Sequence, residues 1–156
     1  MAICLGASRR ADALTLFTIG YEGRVQDEVL DALEGAGVRL LIDVRAVASS
    51  RKAGFSKTLL AASLDKRGIG YVHLVALGTP KAGREAARAG RAAEMHRIFG
   101  AHLKTDAAQA ALAEATALAR GTPACLLCFE ADPACCHRTI VAAEITRVTR
   151  QPVAHL

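Results

Sequence analysis

The sequence predicts an α/β fold: a mostly parallel sheet with helices on both faces, forming a single three-layer domain. Two observations carry this. Short apolar runs alternate along the chain with longer segments whose apolar residues fall at helical spacing. The chain has 156 residues, 52% of them apolar and dominated by Ala, which suits small-residue helices packed closely on one sheet.

The elements follow in order. Residues 1–14 read as a flexible leader, and 15–156 as the domain. "TLFTIG" (15–20) is a short apolar run ending in Gly, a buried strand. "VQDEVLDALEGAG" (25–37) has apolar residues at 25, 29, 30, 33 and 36 and ends in glycines, a helix. "VRLLIDV" (38–44) is the second strand. "FSKTLLAASLDKRGIG" (55–70) is a helix opened by a Ser cap and stopped at Gly68. "YVHLVAL" (71–77) is the third strand. Residues 83–103 and 106–121 read as helices, with Gly90 and Gly100 as candidate breaks in the first. "ACLLCFE" (124–130) is the fourth strand, 136–149 a helix, and "PVAHL" (152–156) a short last strand. No repeat, low-complexity tract or interdomain linker interrupts the pattern.

Composition narrows the function. The formal charge is +5, a modest excess that suits an anionic partner. With no Trp and 4% aromatic residues, an extended base-stacking platform is not expected. Five cysteines, four of them between 125 and 136, do not read as a secreted disulfide framework. The N-terminal residues lack the basic and apolar regions of a secretion signal. No run of about 20 apolar residues is present, so no membrane is expected. These features predict a reduced, cytoplasmic protein.

In open α/β sheets, ligands sit beyond the carboxyl ends of the strands. Those ends carry Gly20 to Arg24, Asp43 to Arg45, Leu77 to Lys81 and Cys128 to Glu130. The segment after the second strand adds Ser49, Ser50, Arg51, Lys52 and Lys57. The densest stretch, "CFEADPACCHR" (128–138), supports three readings. As a metal site it would join Cys128, Cys135, Cys136 and His137, with Glu130 or Asp132. It lacks the paired short units of structural zinc sites, and Cys125 and Cys128 on one strand point to opposite faces. No metal and no cofactor is therefore assigned. As a thiol site it would use Cys136, placed at a helix N-terminus that favours a thiolate. As an anion pocket it would use Arg45, Arg51 and Arg138, whose planar forks match phosphate oxygens. Glu22, Asp43 and Glu130 supply carboxylates for proton transfer or for ribose hydroxyls. The Asp43–Arg45 pair also reads as a structural ion pair. Arg84, Arg88 and Arg91 share one helix face, either a phosphate-backbone stripe or a solvated surface. His73 reads as a core or edge histidine.

Several motifs in order resemble the family designated domain of unknown function DUF488. They are "TIGYEGR", "IDVR…SRKAGFSK", "GIGYVHLVALGTPK", "AGR", "LLCFEADPACCHR" and a terminal "PVAHL". The resemblance runs from about Thr18 to Leu156 and implies a single α/β domain without an established biochemical activity. The positions that match its motifs are Gly20, Asp43, Arg45, Ser50, Arg51, Phe55, Tyr71, Leu77, Gly78, Cys128, Glu130, Cys136, His137 and Arg138. Ala48 and Ala53 stand where prolines are common, and Thr79 where Asn is usual. Cys125 and Cys135 fall outside the pattern.

These readings combine into one expectation. The chain is an enzyme acting on a phosphate-bearing ligand, a nucleotide or a nucleic-acid end. Glu130, Cys136 and Asp43 are the candidate catalytic residues. Gly20, Arg45, Ser50, Arg51, Tyr71, Cys128, His137 and Arg138 are the candidate binding residues. The alternatives are a non-catalytic nucleic-acid-binding module and a small-ligand sensor without turnover. Partners are an anionic small molecule or nucleic acid; a homodimer is the commonest assembly if one forms.

Overall fold

The computed structural model describes residues 14–156. All but the last residue of the expected leader lies outside them. The described chain is one α/β domain built on a five-stranded, all-parallel sheet.

The elements are β1 (Leu16–Gly20), α1 (Gln26–Gly35), β2 (Leu40–Asp43), α2 (Lys57–Asp65) and β3 (Gly70–His73). They continue with α3 (Lys81–Arg88), α4 (Ala92–Leu103), α5 (Asp106–Gly121), β4 (Ala124–Cys128), α6 (Arg138–Thr149) and β5 (Val153–His155). Short 3-10 turns cover Val75–Leu77 and Pro133–Cys135. The strand order is β3-β2-β4-β1-β5, so β4 is inserted between strands formed much earlier in the chain.

Strand alternation sends successive side chains to opposite faces, and the two cores follow it. One face buries Ile19, Leu41, Leu127 and Cys125 against Val29, Leu33, Leu60 and Leu64 of α1 and α2. The other buries Leu16, Ile42 and Leu126 against Met95 and Phe99 of α4 and Val141 and Ile145 of α6. In α5 the inward residues are Ala108, Ala111, Ala115 and Ala119, at helical spacing. Their small side chains let this 16-residue helix lie close to its neighbours. Thr105 caps it by accepting the Ala108 amide.

Three expected elements change. The strand expected over 71–77 stops at His73, and Val75–Leu77 turns away as a 3-10 segment. Gly78 then touches the loop after β2: a Cβ there would lie 2.2 Å from Ala46 Cα. The helix expected over 83–103 splits at Gly90, whose φ of 76° is left-handed and ends α3, while Gly100 stays inside α4. The fourth strand ends at Cys128, leaving Phe129 and Glu130 in the loop beyond it.

The chain leaves β1 and β2 toward helices on one face, and leaves β3 and β4 toward helices on the other. The crevice where the connections diverge, beyond the carboxyl ends of β2 and β4, is where such sheets bind ligands. Among the described residues, no helix is long and apolar enough to cross a membrane.

Candidate functional site

A cavity of about 380 Å³ opens at that crevice. Its lining comes from the ends of β1 (Tyr21), β2 (Arg45 to Val47) and β4 (Cys128 to Glu130), from the loop carrying Ser49 to Arg51, from Thr79, Arg84 and Arg88, and from His137.

Its frame is a buried ion pair. Asp43 is fully buried and Arg45 is 4% exposed. Arg45 Nη2 donates to Asp43 Oδ2 at 2.7 Å and Nε to Oδ1 at 2.9 Å. Arg45 Nη1 donates to the Tyr21 hydroxyl and to the Phe55 carbonyl. Tyr71 donates its hydroxyl to Asp43 Oδ2, the oxygen that also accepts Arg45 Nη2. Burial, followed by the hydrogen bond to Asp43, raises the Tyr71 pKa well above its ordinary value. Burial works against charge on Arg45, but Asp43 outweighs it and leaves the guanidinium pKa raised. Removing either partner of such a pair would strand a buried charge.

The frame holds the loop above it. Phe55, whose carbonyl Arg45 grips, stacks on Tyr21 with ring centroids 4.3 Å apart. Ser56 heads α2, but its hydroxyl bonds the Ser50 backbone rather than a helix amide. Ser50 in turn accepts the Lys52 amide. This latch presents Arg51 at the rim, exposed to solvent.

A second buried arginine closes the other wall. Arg138 is 1% exposed, and its guanidinium is taken up by Thr18 Oγ1 and the carbonyls of Glu130 and Ala131. It fixes the Glu130 loop across Gly20, where a Cβ would stand 1.8 Å from the Glu130 carbonyl oxygen. Gly20 is required by that close approach of two backbones.

The floor holds the reactive groups. Cys128 Sγ lies 3.2 Å from Glu130 Oε2 and 3.6 Å from His137 Nδ1. His137 Nε2 lies 2.8 Å from the Val44 carbonyl. A carbonyl only accepts, so Nε2 carries a ring proton and Nδ1 is the nitrogen that faces the thiols. Burial disfavours charge on His137, but contacts with Cys136, the Val44 carbonyl and Glu130 raise its pKa on balance. Cys136 lies on the far side, with Sγ 4.0 Å from the same Nδ1.

The residues expected from the sequence divide into two sets. Arg45, Ser50, Arg51, Cys128, Glu130 and His137 line the cavity. Asp43, Tyr71, Gly20, Cys136 and Arg138 do not, and each is placed behind the wall by a physical need. Asp43, expected as an acid/base, has its carboxylate engaged by Arg45 and Tyr71. Cys136, expected as the nucleophile, is fully buried, and its thiol is pushed well up by burial. Arg138, expected as an anion ligand, spends its guanidinium on Thr18 and the Glu130 and Ala131 carbonyls. Arg45 borders the cavity with Nε, Nη1 and Nη2 all engaged.

The arginines that face open space are others. Arg84 and Arg88 of α3 line the cavity beside Arg51. Arg91, expected on the same stripe, lies beyond the Gly90 break and pairs with Glu94. Arg84 gives one nitrogen to the Thr79 carbonyl. Sequence reasoning found the helical spacing of Arg84 and Arg88 but had no signal for where that face would point. It placed Tyr21, Thr79 and Phe129 at the strand ends without giving them a role, and it missed Met95.

The family model for domain of unknown function DUF488 matches residues 26–145. No curated protein and no solved structure matches the chain. With that match spanning most of its length, the chain belongs to the DUF488 family.

Proposed function

We propose that the protein is an enzyme acting on a phosphate-bearing ligand, a nucleotide or a nucleic-acid end. One observation carries this reading. Arg51 and Arg88, both exposed and in no ion pair or side-chain hydrogen bond among the described residues, line one concavity with Glu130. Cationic guanidiniums with free donors suit phosphate oxygens. A carboxylate beside the reacting group suits proton transfer. Phe129, 45% exposed at the mouth and packed edge-on against Tyr21, offers a face on which a base can stack. The cavity is of the size that takes a small organic ligand rather than phosphate alone. In this reading Arg51, Arg84 and Arg88 hold the anion and Glu130 carries the proton.

The test is a thermal-shift screen of nucleotides and sugar phosphates, with fluorescence anisotropy on labelled single- and double-stranded DNA and RNA over a salt series. The expected result is a ligand whose binding weakens at least tenfold in Arg51→Ala and in Arg88→Ala. Glu130→Gln is expected to keep binding and lose turnover. Absence of any phosphate-dependent binding at low salt would sink the reading. Steep salt dependence on nucleic acid, with no turnover and indifference to Glu130→Gln, would replace it with a non-catalytic binding module.

A further inference from the structure

We infer that Cys128, Cys136 and His137 form a transition-metal site of the zinc class, with its fourth position open to the cavity. The ligand atoms of these three buried residues all lie within 4.8 Å of one another. A tetrahedral zinc with Zn–S of about 2.3 Å and Zn–N of about 2.0–2.1 Å sets its S···N edges at about 3.5 Å. The protein places Cys128 Sγ 3.6 Å and Cys136 Sγ 4.0 Å from His137 Nδ1.

The surroundings point the same way. A metal-bound imidazole characteristically donates its other N–H to a carbonyl or carboxylate. His137 has the Val44 carbonyl 2.8 Å from Nε2, which fixes the tautomer that leaves Nδ1 free to coordinate. The Arg138 backbone N–H, the first of α6, donates to Cys136 Sγ at 3.5 Å. An amide at a helix N-terminus offsets part of the cost that burial places on the thiolate, the form that binds metal. Two thiolates and one divalent ion sum to zero charge, which suits burial. Thiolate with imidazole also selects zinc over magnesium or calcium.

The site is built for an open position. Cys128 and His137 line the cavity while Cys136 backs them. Glu130 Oε2 stands 3.2 Å from Cys128 Sγ at the cavity edge. Two sulfurs, one nitrogen and an exchangeable fourth position is the pattern of a catalytic rather than a structural zinc. Cys135, the neighbour in sequence, is exposed and turned to Asp132. Cys125 lies in the core on the other face of the sheet. Neither belongs to the site, which stands on the triad alone, whatever ligand fills the cavity.

The experiment is metal analysis of the reduced full-length protein. It is stripped with chelator and then titrated with zinc and, separately, with cobalt. The expected result is one zinc per chain, and a cobalt protein with thiolate charge-transfer bands and the intense visible bands of tetrahedral geometry. Stoichiometric uptake should fall at least tenfold in affinity in Cys136→Ser and in His137→Gln, and stay unchanged in Cys135→Ser and Cys125→Ser. Cys128→Ser, at the cavity surface, tests the same site should Cys136→Ser fail to fold by circular dichroism. No uptake by the wild-type protein, or uptake that follows Cys135 instead of the triad, would overturn the inference. Phosphate-ligand binding by the stripped protein, measured in parallel, separates the two proposals. Metal uptake without any phosphate ligand leaves the metal site standing alone, and phosphate binding without metal uptake removes only the metal.

Discussion

Arg45 and Asp43, two residues apart at the end of β2, form a buried ion pair with Nη2 and Oδ2 2.7 Å apart. Neither side chain is more than 4% exposed. The pair ties the strand end to Tyr21 and Phe55, and through them to the loop that carries Arg51.

Asp43→Asn should therefore act on stability rather than on chemistry. It leaves the Arg45 guanidinium buried without a counter-charge, at a cost of about 3 kcal/mol. For a chain of this size that lowers Tm by roughly 10 °C. Below its melting point the variant should still bind ligand through Arg51 and Arg88. Calorimetry with a binding titration checks both parts, and wild-type stability with lost turnover would return Asp43 to the catalytic group.

Tyr71→Phe removes one hydrogen bond from a carboxylate that keeps Arg45. The expected loss is about 1 kcal/mol. The wild-type phenol has its pKa raised above the ordinary 10.0 by burial and then by Asp43. A raised value means the folded state holds its proton more tightly than the unfolded one. The stabilisation is then complete below pH 10 and fades as pH climbs toward the folded value. Denaturant melts from pH 8 upward should show wild type and Tyr71→Phe converging at the alkaline end. A constant gap across the series would argue against the Tyr71–Asp43 bond.

Gly20→Ala puts a methyl group 1.8 Å from the Glu130 carbonyl oxygen, where backbone rather than a flexible side chain must yield. The expected cost is about 2–3 kcal/mol, from displacing the Glu130 loop and its anchor Arg138. Turnover should fall with it, because Glu130 moves. Gly23→Ala, with nothing within 4 Å of its Cβ, controls for general effects although its φ of 74° adds some strain. A Gly20→Ala protein as stable as wild type would mean that the two backbones do not meet.

The layered α/β fold was legible because it depends on period. Short apolar runs such as Leu40–Asp43 and the Ala-faced helix at Asp106–Gly121 declare themselves within a few residues of chain. So did the edge of the sheet at which the polar residues gather. The insertion of β4 between β2 and β1 was not legible, because strand order depends on contacts between segments more than 80 residues apart.

That insertion decides the roles within the site. It brings Cys128 up beside the end of β2, so that the Val44 carbonyl meets His137. It carries Arg138 behind the wall to serve Glu130 and Thr18. The sequence names the same arginines, cysteines and carboxylates whether they face ligand or protein, since residue type sets the chemistry a group is capable of. Burial and partners set which of that chemistry is left free: Arg45 and Arg138 are spent on the fold, and Arg51 and Arg88 are not.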